Sequence, residues 1–244
     1  MGQEIFDIDG TFTVPDRITQ VSICICGGGG AGGWWETDDT GQQWGGTRGE
    51  YTSQTLDVTE FEQLPIVVGI GGPRQTYGGQ NGAGTPSSIT AVSGSITMNG
   101  GDGAYENYSG NGGNPITTCG GTFVDGLRVQ ASDNTAWGGQ AGCFGNGGNG
   151  GVPSGVDGGI GAGGGAGVGN SGDGGHSGAG GPGRVVVNWD EPIEDGGLLI
   201  NGTAIPELND EGSIHIQALD LLGEAFDGNV HALELDGTEV WRKV

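Results

Sequence analysis

Few residues in this 244-residue sequence are of a type and spacing that does covalent chemistry. His176, His215 and His231 lie far apart, and none stands with a serine or cysteine in a nucleophile frame. Glycine loops cradle phosphates when they read GxxxxGKS or GxxxxGKT, or GxGxxG between a strand and a helix. No Gly-Lys pair occurs in the chain, and its richest glycine segment is spaced in threes. Asp157 and Asp173 fall among glycines, but the calcium-binding repeat GGxGxDx is not met. Four cysteines remain, Cys24, Cys26, Cys119 and Cys143. Cys24 and Cys26 lie two apart on an expected strand and face the same way, so they do not easily bond each other. Cys119 and Cys143 are candidates for a bridge, although connectivity is not fixed by spacing. Zinc would want CxxC spacing or nearby histidine. We therefore expect buried free thiols, no metal, no cofactor and no enzyme activity.

What remains is contact chemistry. Trp35, Trp44, Tyr105, Tyr108 and Trp137 lie in or beside expected loops, among small and polar residues. Aromatics placed this way serve as rigid anchors for a partner. We take Trp35, Trp44, Tyr105 and Tyr108 as the binding candidates. Trp34 and Trp137, next to glycine runs, are expected to cap the ends of a framework that has little other apolar mass.

That framework is the element that must position them. Residues Gly138 to Gly183 are more than half glycine, and the glycines keep a period of three. Gly139, Gly142, Gly145, Gly148 and Gly151 form one run, Gly155 to Gly167 a second and Gly169 to Gly181 a third. Three is the period of the polyproline-II conformation, which has no internal hydrogen bonds and rises ~3.1 Å per residue. Its backbone groups point outward, so burial requires partners on neighbouring segments. Glycine on the inward side lets those backbones approach. Three rods of thirteen residues, each roughly 40 Å long on that rise, are expected side by side. In-phase glycines such as Gly161 and Gly175 should be packing positions, and out-of-phase ones such as Gly163 and Gly174 should tolerate a side chain better. Collagen, which needs abundant proline and unbroken phase, does not fit a segment whose only prolines are Pro153 and Pro182.

Thirty acidic residues stand against seven basic ones, of which only Lys243 is lysine, giving a net charge of −23. Nucleic-acid binding is excluded for want of a basic patch to neutralise phosphates. A strong negative field keeps a protein soluble and is screened by salt, so a saline, halophilic setting is expected. No stretch of eighteen or more apolar residues is present, so no membrane insertion is expected. The N-terminus has neither a basic nor an apolar region of a secretory signal.

Taken in order, Glu4–Ile8 and Thr11–Val14 suggest a hairpin about Asp9-Gly10. Thr19–Cys26 alternates, with Val21, Ile23 and Ile25 on one face, and runs into Gly27–Gly33. Strands are expected at Glu50–Leu56, Gln63–Ile70, twice within Ser87–Met98, at Thr122–Ala131 and at Arg184–Trp189. The opening strand Thr19–Cys26 and the closing strand Arg184–Trp189 should be neighbours in one sheet. An acidic hinge at Asp190–Gly197 then leads to a β module. The fold class is all-β with a polyglycine-II helix sandwich, in two domains: residues 1–190, and a small C-terminal β module over 191–244.

Phe12-Thr-Val-Pro15, Ile18–Ile25 and the following polyglycine run resemble the opening of the glycine-rich domain of bacteriophage tail-fibre proteins. Val67-Val-Gly-Ile-Gly-Gly72, the triplet segment and Gly180-Gly-Pro-Gly-Arg-Val-Val-Val187 match the pattern too, over about residues 5 to 190. The likeness includes tail-fibre tip adhesins in which polyglycine-II rods stack into a sandwich and loops at its far end touch the host receptor. It implies a non-enzymatic virion protein, at a tail fibre, tail tip or other outer surface. On this resemblance Trp35, Trp44, Tyr105 and Tyr108 would bind a host cell-surface receptor, protein or glycan. The base and C-terminal module would meet other virion proteins or further copies of the chain in a homo-oligomer. The alternative is a structural virion component such as a capsid decoration or turret protein. Nothing here corresponds to the fibre-binding head of those adhesins, and the acidic bias suggests a tailed virus of a halophilic host.

Overall fold

Alternation of β-branched and polar residues puts successive side chains on opposite faces of a strand, and residues 1–191 use it to build an apolar core between sheets. The computed structural model describes residues 1–36, 42–76, 82–104, 123–131, 134–169 and 175–191, and six strands between residues 199 and 242. Every regular element among the described residues is a β-strand, and none is a helix. The chain divides into Met1–Glu191 and Pro192–Val244.

In the first unit the strands are β1 (Gly2–Phe6), β2 (Gly10–Thr13), β3 (Gln20–Cys26), β4 (Trp34–Glu36) and β5 (Gln42–Gln43). There follow β6 (Tyr51–Asp57), β7 (Gln63–Val67), β8 (Ser87–Ala91) and β9 (Gly94–Met98). The last are β10 (Val129–Ala131), β11 (Asn134–Ala136), β12 (Gly167–Gly169) and β13 (Arg184–Trp189). One four-stranded sheet has the order β1-β13-β3-β6, and a second has β2-β7-β8-β9. All their pairings are antiparallel. Val21, Ile23 and Ile25 of β3 and Val185 and Val187 of β13 meet Phe12, Leu64, Ile66 and Ile89 in a single buried cluster. The Phe12 ring lies 5.1 Å from that of Trp189.

The expected neighbours β3 and β13 are paired, from Arg184 opposite Cys26 to Asn188 opposite Ser22. The expected N-terminal hairpin is not formed. β1 pairs with β13 and β2 with β7, so Asp9-Gly10 is a corner between the two sheets. Its carboxylate explains why: Asp9 Oδ1 accepts the backbone N–H of Val68 at 2.7 Å, pinning the corner beyond the end of β7. Of the strand expected at Thr122–Ala131, only β10 is present. Val124 and Leu127 instead donate their N–H groups to the side chains of Asn146 and Asn149.

Beyond the sheets the chain runs as glycine-rich segments bonded through their backbones. Segment 27–33 illustrates the rule. Its seven consecutive N–H groups go in rotation to Glu50, Thr85, Gly181, Thr47, Gly82, Gly178 and Trp44, at 2.6–3.0 Å. Three neighbouring segments thus each receive every third donor. Its carbonyls accept from three others: Gly101 and Ala104 from one, Gly72 from a second, Gly164 and Gly167 from a third. Segment 161–168 is surrounded in the same way. It donates from Gly163 and Ala166 to residues 140 and 137, from Gly164 and Gly167 to residues 30 and 33, and from Gly165 to Val156. It accepts from Gly148 and Gly151, from Gly46 and Gly49, and from Gly178 and Gly181. Both segments are buried throughout.

The pattern was expected only inside residues 138–183 and in three long rods. The structure differs on both counts. Backbone reversals at Gly142–Gly145, Val152–Ser154 and Gly159–Ala162 cut the region into shorter passes. Segments from residues 27–33, 44–50, 69–76, 82–86, 99–104 and 123–128 join them. The opening glycine run, not the triplet region, supplies one of the two surrounded passes.

The second unit carries three antiparallel pairs: β14 (Leu199–Ile200) with β15 (Thr203–Ala204), β16 (Ile214–Gln217) with β17 (Asp227–Val230), and β18 (Ala232–Leu235) with β19 (Thr238–Arg242). The β18–β19 register slips between Leu233 and Glu234.

Candidate functional site

Segment direction decides what can meet at the far end of the glycine framework. Segment 27–33 leaves β3 and ends at β4, and segment 44–50 returns from β5 to β6. β12 runs parallel to β4, and β11 runs parallel to β5. All four short strands therefore gather at the pole away from the sheets. At the opposite pole the N-terminus and the exit from β13 come together: the Met1 ammonium is 3.8 Å from Glu191.

Three tryptophans have described side chains at or beside the far pole. Trp34 is almost fully buried, and its Nε1–H donates to the Pro153 carbonyl at 2.9 Å. It closes the end of the framework, as expected of a cap. Trp137 is half-buried and stacks on Trp44, with centroids 5.3 Å apart and an 18° interplanar angle. The Arg128 guanidinium lies 5.1 Å from the Trp137 ring centroid. Among the described residues Trp137 Nε1 is buried without a partner, an uncommon state for an indole donor. Trp44 is half-buried too and keeps part of its surface open. Offset aromatic pairs and guanidinium–ring contacts each contribute about 0.5–1.5 kcal/mol beyond area burial, so this ladder is a stiff platform.

Of the other binding candidates, Trp35 is placed by its backbone alone: it lies in β4, opposite Val168 of β12. Tyr105 and Tyr108 lie outside the described residues, as do positions 37–41. Before the two tyrosines, Gly101 and Ala104 donate their N–H groups to Gly28 and Ala31 and so belong to the framework.

Residues with reactive side chains are turned to structural use. Arg74 holds Asp157 through two bonds of 3.0 and 2.7 Å, and Asp157 also accepts the Ala179 N–H. The bonds from Arg74 hold the Asp157 carboxyl below its ordinary range. His176 Nδ1 sits 2.8 Å from the Ser177 carbonyl. Among the described residues no cluster of histidine, cysteine and carboxylates is arranged for a metal.

The expectation of buried free thiols holds for two of the cysteines and is corrected for a third. Cys24 is disulfide-bonded. Cys26 and Cys143 are free and buried, so the candidate Cys119–Cys143 bridge is not formed. The reversal at Gly142–Gly145 brings Cys143 against Cys26. Their hydrogen bond, and then burial, hold the Cys143 thiol protonated far above its usual range.

Sequence reasoning missed one polar group of residues. The Arg48 guanidinium lies over the Tyr51 ring, 5.6 Å from its centroid, and the Arg48 backbone N–H donates to Gln140 Oε1 at 3.1 Å. The pairing of Gln140 with Arg48 arises from hydrogen-bonded passes 92 residues apart, so no local spacing announces it.

A family model described as a glycine-rich domain matches residues 7–190. No curated protein matches the chain.

Proposed function

We propose, from the premise that this chain belongs to the glycine-rich domain family, that it is a virion protein of a tail fibre or tail tip. It binds a host cell-surface receptor at the pole where β4, β5, β11 and β12 gather. The framework is a polyglycine-II sandwich. The observation that carries this is the three-residue rotation of donors along 27–33, with six bonded neighbours around it. A threefold helix without internal bonds, packed among its own kind, produces that rotation.

Such a scaffold suits attachment. Loops on a rigid support are where binding residues concentrate, and preorganisation lowers the entropic cost of binding. Chain entry and the exit from β13 share the other pole, which leaves that end for anchorage, with the C-terminal module meeting other virion proteins. Half-buried aromatic anchors at the free pole, Trp44 foremost, fit the hot-spot pattern of contact surfaces. The net charge of −23 suits a saline host. The role is binding rather than catalysis.

The test is adsorption. Virions carrying Trp44→Ala should attach to host cells at least tenfold less well, with the melting curve of the purified protein within a few degrees of the parent. Virions altered in the C-terminal module should attach normally once assembled. Normal adsorption by the Trp44 variant would make the protein a structural component, such as a capsid decoration or turret.

A further inference from the structure

On the flank of the framework, beside β6, lies an open depression of about 520 Å³, within the range of ligand sites, ~300–1,000 Å³. Arg48, Glu50, Tyr51, Thr52, Met98 and Gln140 line it. Its walls come from pass 44–50, strands β6 and β9 and pass 136–142, and the two passes are tied together where the Gln140 backbone N–H donates to the Gly46 carbonyl at 3.1 Å. That bond and the Arg48 N–H on Oε1 fix the Gln140 amide. With Oε1 taken, its NH₂ is the free end.

Arg48 is held differently from three other arginines of the unit, and it shares its ring contact with Arg128, whose guanidinium lies over Trp137. Arg74 and Arg184 each grip a carboxylate through two bonds, and Arg17 sits 3.5 Å from Asp16. The Arg48 head rests on an aromatic face instead, and among the described residues no carboxylate pairs with it. Among the described residues Glu50 is bonded through Oε2, which accepts from the Asn99 backbone at 3.1 Å and its side-chain amide at 2.9 Å. Oε1 is left as an acceptor. A guanidinium and an amide therefore offer donors and a carboxylate oxygen offers an acceptor around one open space, where the Thr52 hydroxyl already accepts from Gln54 Nε2 at 3.1 Å.

Groups that demand donors and acceptors side by side are hydroxyls, each of which both gives and takes a hydrogen bond. Arg48 and Glu50 cancel in charge, and the chain as a whole repels anions. Met98 and the Tyr51 ring add apolar surface for C–H groups. We propose that this depression binds an uncharged saccharide unit. Arg48 and Gln140 donate to neighbouring hydroxyls and Glu50 accepts from one. The bonded backbone beneath holds these groups in place before the sugar arrives.

The inference stands apart from the receptor reading at the far pole, and its test separates the two. The full purified chain is applied to an array of neutral and acidic oligosaccharides. Binding to neutral members is expected, reduced at least tenfold by Arg48→Ala and by Arg48→Lys, since an ammonium lacks the planar fork. Gln140→Ala should act alike if its melting curve is unchanged; Arg48→Lys carries the test if it is not. No binding at all, binding to acidic members alone, or full binding by both Arg48 variants would overturn the proposal. A chain that binds sugars while its Trp44→Ala virions adsorb normally would keep this site and lose the receptor reading.

Discussion

Two glycines three residues apart on one pass, Gly30 and Gly33, should respond to the same substitution with very different losses of stability. A Cβ on Gly30 would lie 1.8 Å from the Asp102 carbonyl oxygen and 2.3 Å from its carbon. On Gly33 the nearest atoms are 3.0 Å away at the end of the Gln43 side chain and 3.1 Å away at the Ala104 methyl. Relieving the Gly30 clash to even 3.0 Å would require pass 99–104 to retreat by about 1.2 Å, a distance set by normal Cβ contacts. That stretches the 2.8 and 2.9 Å bonds from Gly101 and Ala104 to pass 27–33 to about 4 Å, beyond hydrogen-bond range. It also strains the Thr47 bond to Asp102. Two or three lost bonds at ~1 kcal/mol each, plus buried groups left unpaired, cost about 3–6 kcal/mol. For a domain of this size that lowers the melting temperature by about 6–24 °C. Gly33→Ala should cost about 1 kcal/mol or less, since a flexible side chain gives way. Thermal unfolding followed by circular dichroism reads both. Equal shifts in the two variants would refute close backbone packing as the source of stability.

Other outcomes follow from the same geometry. Gly163→Val should be as damaging as Gly161→Val in soluble yield and melting, because a Cβ at Gly163 would lie 1.9 Å from the Gly46 carbonyl oxygen; the out-of-phase site is no refuge. The melting temperature should rise from low to multimolar salt as self-repulsion at −23 is screened; a flat profile would remove the saline reading. Asp157 has a depressed folded pKa, set first by its bond from Arg74. Its contribution is therefore complete above the ordinary aspartate range and is lost as pH falls through the lower folded value. Asp157→Asn should flatten the acid limb of a melting-temperature profile below about pH 4, by a small amount because the pair is half-exposed. Thiol titration should find Cys26 and Cys143 unreactive in the native protein and reactive in denaturant, since both are buried.

Much of the core was legible because its physics is local. Alternation picked out Val21, Ile23 and Ile25, and the β-branched run Val185–Val187 marked its neighbour. That the glycine-rich segments bond through their backbones was legible too, since buried segments without side chains leave those groups to one another. The membership of that framework was not. Which glycines are surrounded depends on partners up to 152 residues away, as with Gly29 and Gly181, and triplet phase says nothing of that. In a pass with neighbours on every side, all three faces are inward, so phase stops predicting tolerance. Asp9-Gly10 failed as a hairpin because a turn dipeptide also serves a corner when its carboxylate finds a distant N–H. Of the candidate site, Trp44 could be singled out by its surroundings in sequence. Its stack on Trp137, and the Arg48–Gln140 bond, are products of the packing.

The most direct test of the central proposal is a reconstruction of the intact virion at a resolution that traces backbones. It should place the first unit at the outer end of a tail fibre or tail tip, with Met1 and Trp189 facing inward and Trp44 and Trp137 outward. Density for the chain on the capsid, or a tail position with Trp44 buried against another virion protein, would contradict it.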